Sequence, residues 1–223
     1  MTNNHDLEVQ SVNGWVFRQR MPDGFAYGPG PYPVILMLHG WTGDENSMWI
    51  FAERLPKNAL LIAPRGLYPA ARGGFSWVQD KGRWPQLDDF KPAAQALWQF
   101  VAAENFPAAD LNRLYLAGFS MGAALAFSMT LLYPERIRAA AALSGFLPDG
   151  VAALVEQQPL KRKPVFLAHG SRDDLVPVER ARQAVELLRQ AGAQVDYCED
   201  DVGHRLSVTC FRSLGMFFED VIE

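Results

Sequence analysis

Short apolar runs alternate along the chain with longer segments in which apolar residues recur every three or four positions. The apolar runs include VILML, ALLIA, LYLA, AAAAL and VFLA, and each is closely followed by a glycine. Runs of this length are typical of strands that are covered on both faces of a parallel sheet. Helical periodicity is clearest in KPAAQALWQFVAAENF and VERARQAVELLRQAG. The alternation predicts an α/β fold, with a mostly parallel central sheet and helices on both faces.

Further elements are predicted outside these segments. LEVQSV and WVFRQR are expected to form an antiparallel hairpin, because Asn13-Gly14 between them suits a type I′ turn. Helices are predicted for ENSMWIFAERL, for MGAALAFSMTLLY and for the C-terminal segment from Ser207 onward. Residues 66–90 fit neither period and are rich in aromatic residues, Gly and Pro, as functional loops often are. The connection over residues 146–163 is too short to form a separate lid domain.

Composition and charge exclude several classes of function. The chain has 223 residues and a net charge of −4, so it lacks the basic surface that a nucleic-acid partner requires. No apolar stretch is long enough for stable membrane insertion, and the polar N-terminus lacks the features of a signal peptide. Cys198 and Cys210 are therefore expected to be reduced thiols of a cytoplasmic protein, although a disulfide between them is possible. The scattered His and Cys residues show no metal-ligand spacing, so neither a metal nor a cofactor is expected.

Residues 118–122 read Gly-Phe-Ser-Met-Gly and lie between a predicted strand and a predicted helix. A G-x-S-x-G sequence in this context is typical of a nucleophile elbow, a tight turn that lifts the serine hydroxyl out of the sheet edge. The same turn places Ser120 at a helix N-terminus, where free N–H groups favour developing negative charge. Ser120 is therefore the predicted nucleophile.

A serine nucleophile needs a base, and in this arrangement an acid and then a histidine follow it along the chain. His204 comes after the predicted strand AQVDYCE and is the candidate base. Asp173 and Asp174 both follow the strand PVFLA, and either could orient the imidazole ring. Spacing alone does not separate the two aspartates.

The turn after VILML is the candidate oxyanion hole. There His39-Gly40 can direct the backbone N–H of Trp41 at the reacting carbonyl, and the second donor would be the N–H of Met121. His39 and His169 each precede a glycine, and both are predicted to be structural residues that hydrogen-bond loops beneath the site. Side chains predicted to line the substrate site are Trp41, Trp77, Phe146 and Leu147.

The motifs LHGWTGDE, GFSMG, ALSGFLP, HGSRDDLVP and GHRLS occur here in an order and spacing that resemble the phospholipase/carboxylesterase family of α/β hydrolases. The resemblance extends from about Val34 to the end. It implies that residues 1–223 form a single α/β-hydrolase domain without a cap. In the family the acid occupies the Asp position of H-G-x-x-D-x-x-V-P, and here that position is Asp173, followed by Val176-Pro177. The resemblance therefore selects Asp173 over Asp174.

The chain also departs from the acyl-protein thioesterases of this family. Those enzymes typically carry Gln after the nucleophile and a short aromatic loop, whereas this chain has Met121 and a longer loop with Phe75, Trp77 and Trp84. The expected activity is that of a serine carboxylesterase that hydrolyses short- to medium-chain (thio)esters of small molecules, without cofactor. The alternatives are a lysophospholipase or acyl-protein thioesterase, a peptidase with the same triad, and a non-catalytic binding module. A homodimer is possible.

Overall fold

The computed structural model describes residues 8–23, 30–102 and 104–222. Its centre is an eight-stranded sheet with the order β1-β2-β4-β3-β7-β8-β9-β10, in which β1, β2 and β4 pair antiparallel and the other neighbours pair parallel. These strands are β1 (Gln10–Val12), β2 (Trp15–Arg20), β3 (Tyr32–Leu38), β4 (Leu60–Pro64), β7 (Ala109–Phe119), β8 (Ala139–Leu143), β9 (Pro164–Gly170) and β10 (Gln194–Asp200). A separate two-stranded hairpin consists of β5 (Tyr68–Pro69) and β6 (Phe75–Ser76).

The helices of the described chain cover both faces of the sheet. They are α1 (Trp49–Ala52), α2 (Leu87–Phe100), α3 (Met121–Leu132), α4 (Ala152–Val155), α5 (Val178–Gln190) and α6 (Val208–Val221). Alternate residues of β3 belong to opposite faces: Val34 and Leu36 pack with α2 and α3, while Ile35 and Met37 pack with α1 and α6. Burial on both faces explains why this strand is apolar at every position. The predicted fold class is confirmed.

The hairpin at the start of the sheet also agrees with its prediction. Asn13 and Gly14 have φ angles of 48° and 82°, as a type I′ turn requires, and they join β1 to β2. Residues 1–7 and 24–29 lie outside the described residues, and with them the polar N-terminus and most of the Gly/Pro-rich link to β3. No helix in the described part of the chain is long and apolar enough to cross a membrane.

Two predicted helices differ from the observed ones. The segment ENSMWIFAERL contains only the single turn α1, because Asp44 accepts hydrogen bonds from Asn46 and Ser47 and holds the preceding residues in a turn. Helix α2 begins at Leu87, before the predicted start at Lys91, and ends at Phe100. At its end the Asn105 side chain donates a hydrogen bond of 2.8 Å to the Phe100 carbonyl.

The expectation of two reduced cysteines is wrong. Cys198 and Cys210 form a disulfide, with their Cα atoms 5.6 Å apart. The bond joins β10 to the first turn of α6, so it links the two ends of the loop that carries His204. The expectation of free thiols supported a cytoplasmic location, and the disulfide removes that support. The cytoplasmic location stays a prediction.

Candidate active site

Ser120 lies between β7 and α3 in a backbone conformation that is unusual for a residue with a side chain. Its φ and ψ angles are 53° and −116°, and its N–H donates to the Leu143 carbonyl at 2.8 Å. A conformation of this kind costs about 1–3 kcal/mol and persists only where the surroundings impose it. The strain is what a nucleophile elbow requires, because it presents the hydroxyl above the carboxyl ends of the strands.

Close backbone packing explains the two glycines of the elbow. A Cβ atom on Gly118 would lie 2.2 Å from the Gly122 carbonyl oxygen, and one on Gly122 would lie 2.0 Å from the Leu38 carbonyl oxygen. Any side chain at either position would force β7, α3 and β3 apart. The G-x-S-x-G sequence is therefore a steric requirement of this turn.

Asp173 and His204 form a short, partly buried polar contact at this edge of the sheet. Asp173 is 7% exposed, and its Oδ2 accepts a hydrogen bond from His204 Nδ1 at 2.6 Å. Its Oδ1 accepts from the N–H groups of Leu175 and Val176, both at 2.9 Å, which fixes the carboxylate in one orientation. With Nδ1–H donating to Asp173, the second ring nitrogen Nε2 is free to act as a base.

The loop that carries His204 is attached to the loop that carries Asp173. The N–H of Ser171 donates to the Asp200 carbonyl at 2.8 Å, and the N–H of Arg172 donates to the Val202 carbonyl at 3.0 Å. On the other side, the Phe119 ring packs against the His204 ring with centroids 5.0 Å apart. Since Phe119 immediately precedes Ser120, this contact also positions the imidazole relative to the nucleophile.

The two predicted oxyanion donors flank Ser120. A Cβ atom on Gly40 would lie 3.2 Å from the Ser120 Cβ, so the turn that carries Trp41 passes beside the nucleophile. Met121 is the first residue of α3, where N–H groups have no partner within the helix. Neither the Trp41 nor the Met121 N–H donates to another residue within the described ranges. Both are therefore available for a developing oxyanion.

His39 supports the oxyanion turn from below and remains neutral. It is fully buried, its Nδ1 lies 2.7 Å from the Gly40 carbonyl oxygen, and its Nε2 accepts a hydrogen bond from the Gly66 N–H at 2.8 Å. This pattern places the proton on Nδ1. Burial lowers the pKa of the ring, which favours the same neutral form. The prediction of a structural role for His39 is confirmed.

His169 has the corresponding role beneath Asp173. It is also buried, and burial lowers its pKa. Its Nε2 lies 2.8 Å from the Val176 carbonyl oxygen and 3.4 Å from Asp173 Oδ2. The ring therefore joins the acid to the segment that follows it, as predicted for a structural residue.

Two cavities meet at the triad. The larger, of about 570 Å³, is called the serine cavity here and is lined by Trp41, Arg72, Trp84, Ser120, Met121, Phe146, Leu175 and His204, among others. The second, of about 480 Å³, is called the side cavity and is lined by Trp41, Ile50, Phe51, Phe119, His204, Arg205 and Phe211, among others. His204 and Trp41 line both cavities. The serine cavity brings Ser120 and His204 together, along with both predicted oxyanion residues.

Of the four side chains predicted to line the substrate site, Trp41 and Phe146 line the serine cavity. Trp77 is fully buried, with its indole ring tilted against the His39 ring, and this position corrects the expectation that it lines the substrate site. Leu147 is 6% exposed and packs in the core with Phe127 and Val151, so it does not reach the cavity either. Because both residues belong to irregular segments, their burial could not be predicted from the sequence.

Three residues that were not predicted as site residues also line the serine cavity, namely Arg72, Trp84 and Leu175. Trp84 packs edge-to-face against Phe146 with ring centroids 4.7 Å apart, and the guanidinium of Arg180 lies 4.6 Å from the centroid of the Trp84 ring. The sequence feature that could have identified Trp84 and Arg72 as site residues is their position in the long aromatic loop. Among the described residues no group of three or more acidic, His or Cys side chains could hold a metal ion.

Comparison with known proteins identifies the family to which the chain belongs. Residues 30–222 match the model of the Phospholipase/Carboxylesterase family. The chain is 27% identical over 184 residues to "Acyl-protein thioesterase 1" of Kluyveromyces lactis, covering 74% of this chain and 79% of the relative. A crystal structure of a Bacillus cereus carboxylesterase superposes with a TM-score of 0.80 at 23% identity, covering 95% of this chain and 97% of that one.

A third relative limits what similarity alone establishes. A rice protein, from Oryza sativa subsp. japonica, is 30% identical over 197 residues, covering 77% of this chain and 78% of the relative, and is named a probable inactive carboxylesterase. The fold is therefore compatible with loss of activity. Whether this chain is catalytic therefore depends on its own site residues.

Proposed function

The chain belongs to the phospholipase/carboxylesterase family, and we propose that it is a serine carboxylesterase that hydrolyses short- to medium-chain carboxylic esters and thioesters through an acyl-enzyme on Ser120. The observation that carries this proposal is the 2.6 Å contact between Asp173 Oδ2 and His204 Nδ1, at a cavity that also contains Ser120. A scaffold used only for binding would have no need of an oriented imidazole next to a strained serine.

In the proposed reaction His204 Nε2 takes the proton of Ser120 as its oxygen attacks the ester carbonyl. The oxyanion of the tetrahedral intermediate accepts hydrogen bonds from the N–H groups of Trp41 and Met121. His204 then gives its proton to the leaving alcohol or thiol, and an acyl-enzyme remains. A water molecule, deprotonated by His204, attacks the acyl-enzyme and releases the carboxylic acid. The chain's own residues carry every proton transfer of this cycle.

The shape of the site supports short or medium acyl groups. The serine cavity is open to solvent at Leu175, which is 68% exposed, and at Trp41, which is 42% exposed. The connection after β8 contains only the single turn α4 and adds no cap over the cavity. A lysophospholipase or acyl-protein thioesterase would hold a long chain, so a panel of esters and a thioester of increasing acyl length separates the two functions.

The proposal is tested by labelling and by turnover. A fluorophosphonate probe should label the wild type and not the variant Ser120→Ala, whose kcat should fall by about 10⁴- to 10⁶-fold. The matched control is Ser213→Ala on α6, which lines neither cavity and should label and turn over like the wild type. Equal labelling of Ser120→Ala, or ester hydrolysis that survives this change, would rule the proposal out.

A further inference from the structure

Arg72 is a central residue of a turn that is attached to the oxyanion turn beside the nucleophile. Its side chain lines the serine cavity together with Ser120 and His204. The turn connects β5 to β6 and is closed by a 3.0 Å hydrogen bond from the Gly73 N–H to the Ala70 carbonyl. Just beyond it, the N–H of Phe75 donates to the Gly43 carbonyl at 2.8 Å. The turn of Arg72 is thereby attached to the oxyanion turn.

The charge of Arg72 is not neutralised within the described part of the chain. Arg72 forms no ion pair or hydrogen bond with any residue of the described ranges. Many basic residues of the described chain are paired: Arg65 with Glu45, Lys81 and Arg83 with Asp89, Arg180 with Asp149, Arg172 with Asp201, and Arg182 with Glu199. Arg72 is the arginine that lines the serine cavity, and its guanidinium is free to pair with a ligand there.

The rest of the serine cavity offers no competing carboxylate. Its lining contains neither Asp nor Glu, and it consists largely of the aromatic and aliphatic side chains of Trp41, Trp84, Phe146, Leu175 and Val176. A ligand in this cavity meets apolar walls and a single positive charge. The complementary group is an apolar chain that ends in an anion.

The two cavities offer separate spaces for the two halves of an ester. Ser120 and Met121 line the serine cavity and not the side cavity, so the reacting carbonyl carbon lies at the serine cavity. His204 lines both cavities and must give its proton to the leaving oxygen. With the leaving alcohol or thiol in the side cavity, the group that reaches Arg72 belongs to the acyl half.

We propose that the preferred substrates are half-esters of dicarboxylic acids, whose free carboxylate pairs with Arg72 while the ester carbonyl is attacked by Ser120. This inference rests on the proposed esterase function and names its substrate class. A carboxylate fits the observations because one guanidinium matches one carboxylate in a planar, bidentate pair. A phosphate dianion would call for more donors than this cavity provides.

The test compares esters that differ only in the distal charge. Mono-4-nitrophenyl esters of succinate, glutarate and adipate are measured against neutral 4-nitrophenyl esters of the same chain lengths. In the wild type at least one half-ester should have a KM about fivefold lower than its neutral partner, the effect of a strong exposed ion pair. Arg72→Met should remove this preference, so that a half-ester and the neutral ester of the same chain length have the same KM. Added salt should weaken the preference in the wild type.

Matched variants and substrates make the outcome specific. Arg212→Met removes an exposed arginine on α6 that lies far from the serine cavity, and the preference should persist in it. Arg72→Lys keeps the charge and should retain part of the preference. Esters of 4-hydroxybenzoate with a neutral acyl group carry the carboxylate on the leaving group. Their KM should not depend on Arg72. Equal KM values for half-esters and neutral esters, or a preference that survives Arg72→Met, would overturn the inference.

A binding measurement separates this inference from the proposed function. Glutarate, a product of the proposed reaction, should bind the wild type in calorimetry and should bind Arg72→Met about fivefold more weakly. If no ester is hydrolysed, the proposed function fails, and the calorimetric difference still decides whether Arg72 holds a carboxylate. If Ser120-dependent hydrolysis occurs but glutarate binds both proteins equally, only the substrate class is wrong.

Discussion

The indole N–H of Trp77 donates a 2.8 Å hydrogen bond to the carbonyl oxygen of His39. Both side chains are fully buried, and their ring centroids are 4.9 Å apart. His39 immediately precedes the turn of Gly40 and Trp41, so the aromatic loop over residues 66–90 is fastened to the oxyanion hole from beneath. The loop therefore supports the proposed oxyanion hole through a residue that lines neither the serine cavity nor the side cavity.

Trp77→Phe should lower the stability and the turnover of the enzyme. The change leaves the buried His39 carbonyl without its donor, at a cost of about 1–3 kcal/mol in the free energy of unfolding. A small displacement of the Trp41 N–H should then lower kcat by about tenfold, with little change in KM. Denaturant unfolding and ester kinetics measure the two effects.

The control for this variant is Trp98→Phe. The Nε1 of Trp98 is buried and has no hydrogen-bond partner among the described residues, so its loss removes no bond, and Trp98 is remote from both cavities. If the two variants show the same kcat, the oxyanion turn does not depend on the Trp77 contact.

Asp173→Asn should lower kcat by about 10⁴-fold, since an amide at this position favours the wrong tautomer of His204. Asp174→Asn should have little effect, because Asp174 is exposed and lies outside the contact with the imidazole. Steady-state kinetics with one activated ester measures both variants. A larger loss in Asp174→Asn would contradict the assignment of Asp173 as the acid.

Removal of the disulfide should loosen the loop that carries His204. The double variant Cys198→Ala, Cys210→Ala should lose about 2–4 kcal/mol of stability, because the unfolded chain is no longer constrained. Its kcat should also fall, since β10 and α6 then hold the loop ends through non-covalent contacts alone. Thiol reductant should reproduce both effects in the wild type and leave the double variant unchanged. A reductant effect on the double variant would point to some other target.

Acid should destabilise the protein in two separate pH ranges. Burial lowers the pKa of His39 and His169 below 6.5, so the unfolded chain binds protons that the folded state does not. Stability should therefore decline as the pH falls below about 6.5. The pKa of Glu45 is lowered, chiefly by its hydrogen bonds from Arg65, and the stability from this carboxylate should be lost only as the pH falls below its ordinary value of 4.5.

Thermal unfolding between pH 7 and pH 5 measures the histidine contribution. His39→Gln keeps an acceptor for the Gly66 N–H and a donor for the Gly40 carbonyl but does not titrate. Its Tm should be lower than that of the wild type at pH 7 and should fall less steeply on acidification. An equally steep fall would assign the acid sensitivity to other groups.

The sequence predicts the fold and the triad because both follow from local patterns. Apolar runs buried on two faces identify the parallel strands, and parallel strands bring their carboxyl ends to one edge, where Ser120, Asp173 and His204 each follow a strand. Spacing left Asp173 and Asp174 equivalent. The distinction became possible through a family resemblance, and the structure places Asp173 against the imidazole.

The remaining features depend on contacts between distant segments. Trp77 belongs to a loop without periodicity, so its sequence gives no sign that the indole is buried against His39. The pairing of Cys198 with Cys210 depends on how α6 returns to β10, which no spacing rule determines. Arg72 reaches the cavity only because a short hairpin turns back over the oxyanion loop.

The position of β10 at the edge of the sheet bears on self-association. An edge strand offers unpaired backbone groups to a second chain, and acidic side chains along it discourage such pairing. β10 carries Asp196, Glu199 and Asp200 among its seven residues. Glu199 is paired with Arg182, but two copies joined across this edge would bring Asp196 and Asp200 of both strands into proximity, and their repulsion opposes a continuous sheet at neutral pH. This charge disfavours pairing of two copies across β10, the strand that the disulfide joins to the loop of His204.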